Sequence, residues 1–262
     1  MTPDIALEPQ AAPPEWEPPA PPTDLIFDDG VPLESNRHRI AMNVLIRSME
    51  QALLAQTEDF FVGGNMFVYY SRNQAMNRDF RGPDFFVALG VKGDRDRQGW
   101  VVWEEEGRYP DVIVELLSPS TAAVDKGVKK DLYEQVFKTS DYFVFNPFDP
   151  SSLEGWRLDL AQGYQPLSPN EQGWLWCESL GLWLGTWEGS INREPVNGVC
   201  QWLRLYDAQG NLMPLPEEAE KQRAEQEKQR AEQEKQRAEQ EKQWADRMAE
   251  KLRELGINPS DV

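Results

Sequence analysis

Histidine and cysteine are scarce in this 262-residue chain: there is one His, at position 38, and two Cys, at 177 and 200. That supply argues against a structural zinc site, which takes four Cys or His ligands. Two thiols also fall short of the cysteine framework of a small secreted fold. No run of 18 apolar residues occurs, and the Met1 end has no apolar h-region, so neither a spanning helix nor a secretory signal is expected. A cytoplasmic protein with both thiols reduced follows as the expectation. Gly-rich phosphate loops, a GxSxG elbow and a Ser/His/Asp set are missing too. Positive charge is in deficit, with 27 Lys+Arg against 45 Asp+Glu and a net charge of −18. A chain-wide basic surface is thereby excluded, and any contact with DNA must come from a local patch and be sensitive to salt.

Three compositional regions are present. Residues 1–24 are rich in Pro, Ala and Glu, as in Pro18-Pro19-Ala20-Pro21-Pro22, and read as a disordered acidic leader. Residues 25–210 carry the apolar and aromatic content and are expected to fold as one domain. Within 211–262 the heptad Glu-Lys-Gln-Arg-Ala-Glu-Gln occurs three times, at 220–226, 227–233 and 234–240. Only its alanines are apolar, so with Ala224, Ala231 and Ala238 at a, the d positions are Glu227, Glu234 and Glu241. That is a poor seam, and a charged, solvated helix held by i,i+4 pairs such as Arg223/Glu227 is expected, with a weak oligomerising tip at Ala245, Met248, Leu252 and Leu255.

In the middle region Ser35 or Asn36 can cap a helix whose Ile40, Ala41, Val44, Leu45, Met49, Ala52 and Leu53 fall at three- and four-residue spacing. Short apolar runs at Met66–Tyr70, Asp84–Leu89, Trp100–Trp103, Asp111–Leu117 and Tyr142–Phe145 read as strands. Val128, Leu132 and Val136 mark a helix between the last two. Trp156–Leu160 and Tyr164–Leu167 flank Ala161-Gln162-Gly163 as a hairpin. The tryptophans at 174, 176, 183, 187 and 202 are expected to seal the core or a dimer contact. Helix, strands, helix, strand is the order of an α/β core with a mixed sheet.

The chemical signal is charge where charge does not belong. Asp84 and Glu115 interrupt almost wholly apolar runs of the kind buried on both faces of a sheet, and an unpaired carboxylate there costs several kcal/mol. Along the second run, Asp111 and Glu115 share a face but lie ~13 Å apart at ~3.3 Å per residue. Oxygen ligands sit at ~2.0–2.6 Å from Mg²⁺ or Ca²⁺, so Asp84 on its own strand is the better partner for Glu115. Competing readings exist: Asp84 and Asp111 follow Pro and could end turns, Lys129 could be a solvated helix lysine, and His38 could be a packed residue.

Gly82-Pro83-Asp84, Glu115-Leu116-Leu117-Ser118-Pro119-Ser120-Thr121, and then Asp125, Lys129 and Tyr133 resemble the core of the PD-(D/E)xK nuclease superfamily. More narrowly, they resemble its Uma-type restriction-endonuclease family, from about Leu33 to Asp207. The resemblance implies a restriction-endonuclease-like mixed sheet flanked by helices. It also implies a Mg²⁺-dependent endonuclease (with Mn²⁺ as an alternative metal) that hydrolyses DNA phosphodiester bonds as a homo-oligomer. Asp84 and Glu115 would be metal ligands, Lys129 would position the attacking water, and Glu34 would be an auxiliary acid. The superfamily lysine normally stands two residues after the second acid, where this chain has Leu117; Lys126 and Lys130 are alternatives to Lys129. The competing class is a nuclease-fold scaffold that no longer cuts, and a third reading is hydrolysis of a smaller phosphoester.

Overall fold

Ser35 begins the first helix as the sequence suggests: its hydroxyl accepts the His38 backbone N–H, and α1 runs Asn36–Leu54. The helix buries Ile40, Ala41, Val44, Leu45, Met49, Ala52 and Leu53, the predicted apolar face. These statements come from a computed structural model, which describes residues 20–28, 30, 33–79 and 81–254. Most of the expected disordered leader, and the last residues of the expected helix tip, lie outside those residues.

A six-stranded sheet organises the chain, built from β1 (Phe60–Gly63), β3 (Phe85–Leu89), β5 (Val112–Leu116), β6 (Asp141–Asn146), β7 (Asp149–Asp159) and β8 (Gly163–Pro166) in the order β1-β3-β5-β6-β7-β8. Only β5 and β6 are parallel; the other neighbours are antiparallel, so the sheet is mixed as expected. The predicted hairpin is the β7–β8 pair, closing at Asp159↔Gly163. Two expected strands are shorter than their apolar runs: β2 is Val68–Tyr69, and β4 is Trp100–Val101 followed by a 3-10 turn over Val102–Glu104. β1 was not anticipated, because four residues offer too little period to read.

Alternation on the central strands creates two cores. Val112, Val114 and Leu116, with Phe85 and Val87, face α1 and a second sheet of β9 (Leu175–Cys177), β10 (Leu182–Gly189) and β11 (Cys200–Tyr206). Ile113 and Leu117, with Phe86 and Ala88, face the other way, against Trp100, Tyr133 and Phe137. The tryptophans pack within the chain: Trp202 is buried, Trp174 stacks on Tyr206 at 3.8 Å, and Trp176 meets Trp183 edge-on. Burying such a ring contributes about 2–3 kcal/mol. Both cysteines are free thiols.

Helix α2 spans Arg72–Met76. Residues 122–137 form a continuous helix, α3, that is α-wound at Ala122–Val124 and Lys130–Leu132 and π-wound at Asp125–Lys129 and Tyr133–Phe137. Here the structure corrects the sequence reading. Val128 and Val136, read as the apolar stripe, are 59% and 44% exposed, while Asp125, Tyr133 and Phe137 turn inward. The last helix, α4 (Pro216–Glu254), leaves the body at an anchor. Fully buried Arg204 donates to Glu218 Oε2 at 2.6 Å and to the Met213 carbonyl at 3.0 Å. From Glu220 to Met248 every residue of α4 is exposed. No described helix is long and apolar enough to cross a membrane.

Candidate active site

Because β3 and β5 pair with Phe85 opposite Val114, Asp84 arrives directly beside Glu115. The two are stitched together reciprocally. Asp84 N–H donates to Glu115 Oε2 at 3.3 Å, and Leu116 N–H donates to Asp84 Oδ2 at 2.7 Å. Both carboxylates belong to the sheet face that looks toward α3. Glu115 has no exposed surface, and Asp84 keeps a partial opening to solvent.

Helix α3 supplies the rest. Four residues of an α-helix advance ~400°, so a row at i, i+4, i+8 drifts by ~40° at each step. The wider π turns offset that drift and aim Asp125, Lys129 and Tyr133 at the same strand. The Tyr133 hydroxyl donates to Glu115 Oε1 at 2.7 Å. The Lys129 ammonium lies 3.1 Å from Glu115 Oε1 and 2.9 Å from Asp125 Oδ1. Asp125 is 1% exposed, and its Oδ2 has no partner among the described residues. Three carboxylates thus share one ammonium.

That imbalance shows in the proton affinities. Burial pushes Glu115 up to about 8; Lys129 pulls it down, while Asp84 and Asp125 add to the rise. Burial likewise raises Asp84 to about 6, against the pull of Lys129 and the Leu116 N–H, with Asp125 and Glu34 adding smaller pushes. Burial disfavours the Lys129 cation, yet Glu115, Asp125 and Asp84 outweigh it and hold the ammonium above its ordinary range. Lys129 is therefore a fixed positive charge at neutral pH, and the cluster is short of cations.

The other sequence candidates fall out differently. Glu34 sits just ahead of the cap of α1, exposed, near enough to Asp84 to act on it through space but not in contact. Lys126 pairs with Glu154 at 2.6 Å, and Lys130 lies over the Trp156 ring at 4.2 Å, so of the three lysines only Lys129 reaches Glu115. Asp111 accepts the Leu89 N–H at 2.8 Å, at the far end of β5. His38 is a packed residue. Nε2 lies 3.2 Å from the Leu117 carbonyl, which can only accept, so that nitrogen carries the proton and Nδ1 takes the Ser35 hydroxyl at 2.8 Å. This ties α1 to the end of β5. Asp125 entered the sequence reading as part of a motif without a role; its i,i+4 spacing to Lys129 was the available signal.

Among the described residues no three His, Cys, Asp or Glu side chains form a ready-made metal cage. A cavity of about 700 Å³ near the end of α1, lined by Glu50, Leu54, Phe61 and Lys92 among others, shares no residue with the cluster. The convergent charges, and not this cavity, therefore mark the chemistry.

One of three comparisons with known proteins, that with family models, agrees with the resemblance. No curated protein matches. Among solved structures, one described as "a putative nuclease belonging to DUF820", from Anabaena variabilis, is 16% identical over 62% of this chain and 86% of its own, with a TM-score of 0.40. The Uma2 family, described as "Putative restriction endonuclease", matches residues 13–190, more than half of the chain and all of the residues clustered around Glu115. The chain belongs to the Uma2 family.

Proposed function

We propose that this chain is a metal-dependent endonuclease that hydrolyses DNA phosphodiester bonds, with Asp84 and Glu115 holding Mg²⁺ (or Mn²⁺) and Lys129 positioning the attacking water. Family membership supports a nuclease, and the observation that carries the metal is the charge deficit: buried Glu115 and Asp125 and the adjacent Asp84 share one ammonium. Mg²⁺ suits such a set, since it is commonly bound through one or two carboxylates plus substrate phosphates and water. When bound, it would lower the pKa of a coordinated water and offset charge on the phosphorus-centred transition state.

The chain's own groups do the rest. Tyr133 and the Asp84 N–H fix the Glu115 carboxylate, and the Leu116 N–H fixes that of Asp84, so neither acid must be oriented during the reaction. Lys129 stays protonated and serves as a donor and a positive charge, not as a base. Glu34, exposed at the lip, would act as an outer acid. DNA would approach through a local patch, since the chain as a whole repels it at −18.

The test is cleavage of supercoiled plasmid at low salt with Mg²⁺ or Mn²⁺, by wild type beside Glu115→Ala and Lys129→Ala. Nicking that both substitutions abolish supports the proposal. Equal inertness of all three would favour the non-cutting scaffold, and activity surviving Glu115→Ala would mean the site lies elsewhere.

A further inference from the structure

Asp125 has no duty in the two-ligand scheme, yet it is one of the most buried charges in the protein. Its place is well determined. The Tyr142 hydroxyl donates to its backbone carbonyl at 2.8 Å, its own N–H bonds to the Thr121 carbonyl at 2.9 Å, and the π-wound stretch it opens aims its side chain inward. The carboxylate nevertheless makes no staple across the fold. Oδ1 meets the Lys129 ammonium at 2.9 Å, and Oδ2 faces no partner among the described residues. Buried carboxylates normally satisfy both oxygens, so one left open calls for an explanation beyond stability.

The explanation lies in what happens to Lys129 when Glu115 is engaged. Lys129 now divides its ammonium between Glu115 Oε1 and Asp125 Oδ1. A cation on Glu115 would compete for the same oxygens and repel the ammonium. A lysine on a flexible four-carbon stem, with its side chain 18% exposed, would then be free to swing out to solvent unless a second anion held it. We propose that Asp125 is a positioning residue, the fixed anchor that keeps the Lys129 ammonium at the site once Glu115 is occupied. Asp125 suits this because it approaches the ammonium from α3, four residues before Lys129, while Glu115 approaches from β5. The kinetic part of the inference rests on the nuclease reading; the placement of the lysine does not.

Two measurements separate them. The first is the acetylation rate of Lys129, read by peptide mass spectrometry on the full-length, metal-free protein. Glu115→Gln imitates an engaged Glu115 by removing its charge. Lys129 should stay protected in Glu115→Gln and become several-fold more reactive when Asp125→Asn is added. Release of Lys129 by Glu115→Gln alone, or no further release in the double variant, would overturn the proposal. The second is cleavage kinetics. Asp125→Asn is expected to lower kcat by about 10–100-fold, the usual cost of losing a group that orients a catalytic one, with KM within about twofold. Asp125→Glu keeps the charge, so it should recover part of the loss and keep Lys129 protected beside Glu115→Gln. It replaces Asp125→Asn in both measurements if that variant does not melt cooperatively, and an unprotected Lys129 there would also overturn the proposal. If wild type cuts no DNA, the nuclease reading fails, and the labelling still decides whether Asp125 anchors Lys129.

Discussion

Replacing Glu115 by glutamine should stabilise the metal-free protein at alkaline pH while destroying its proposed chemistry. Glu115 has no exposed surface, and burial foremost moves its carboxyl from 4.5 to about 8. At ~1.36 kcal/mol per decade of proton affinity, that move caps the cost of ionising it inside the fold at ~5 kcal/mol. Because the folded-state value is raised, the favourable contribution of protonated Glu115 is complete below 4.5 and is lost as pH climbs through about 8. Glutamine does not titrate and escapes the loss. It forfeits the Asp84 N–H bond and sets an amide NH2 against that donor, together costing ~1–2 kcal/mol. The variant should therefore be ~1–2 kcal/mol less stable than wild type at pH 5 and ~3 kcal/mol more stable at pH 9. Urea unfolding in EDTA across that range reads the crossing. A difference that stays constant from pH 5 to 9, or a variant that is the weaker at pH 9, would refute the electrostatic account of this cluster.

Tyr133→Phe removes the 2.7 Å donor to Glu115 and should cost ~1–2 kcal/mol at pH 9, where Glu115 is ionised, and less at pH 5; the same urea series measures it. Arg204→Met breaks the buried guanidinium's bonds to Glu218 and Met213. It should destabilise by ~2 kcal/mol, a figure reduced because Glu218 is 31% exposed, and the urea midpoint is the readout. Removing residues 222–262 should leave the melting temperature of the remainder within ~2 °C, because from position 222 to Met248 every residue of α4 is exposed.

Where side chains alternate between two cores, the sequence announced its fold: Phe85–Leu89, Val112–Leu116 and Asp141–Asn146 are apolar runs that became the centre of the sheet. The cap at Ser35 and the spacing of Ile40, Val44 and Leu45 likewise located α1. The pairing of Asp84 with Glu115 was legible because a carboxylate in such a run has few other excuses. The buried face of α3 was not. Apolar periodicity selects valines, and here the inward side carries Asp125, Lys129 and Tyr133, because the strand they meet presents a carboxylate. Asp125 was obscured by the same logic, since an acid four residues before a lysine usually describes a solvated helix surface. β1 was too short for its periodicity to register, and β2 and β4 were expected longer than they are because an apolar run does not show where pairing stops.

The π-wound turns of α3 bear on which changes of length this protein could tolerate. Asp125, Lys129 and Tyr133 gather at Glu115, and Phe137 follows them inward, because the ribbon is wound wide at both ends. Deleting a single residue between them, with the winding of the rest kept, would rotate every later side chain by ~100° at an α-wound position and by somewhat less at a π-wound one. Exposed positions such as Val128 and Val136 could then accept almost any substitution, whereas a deletion at either would be absorbed only if its π turn tightened to α. Their contribution is to be counted rather than to make contact, much as a spacer in a gear train matters for its thickness alone.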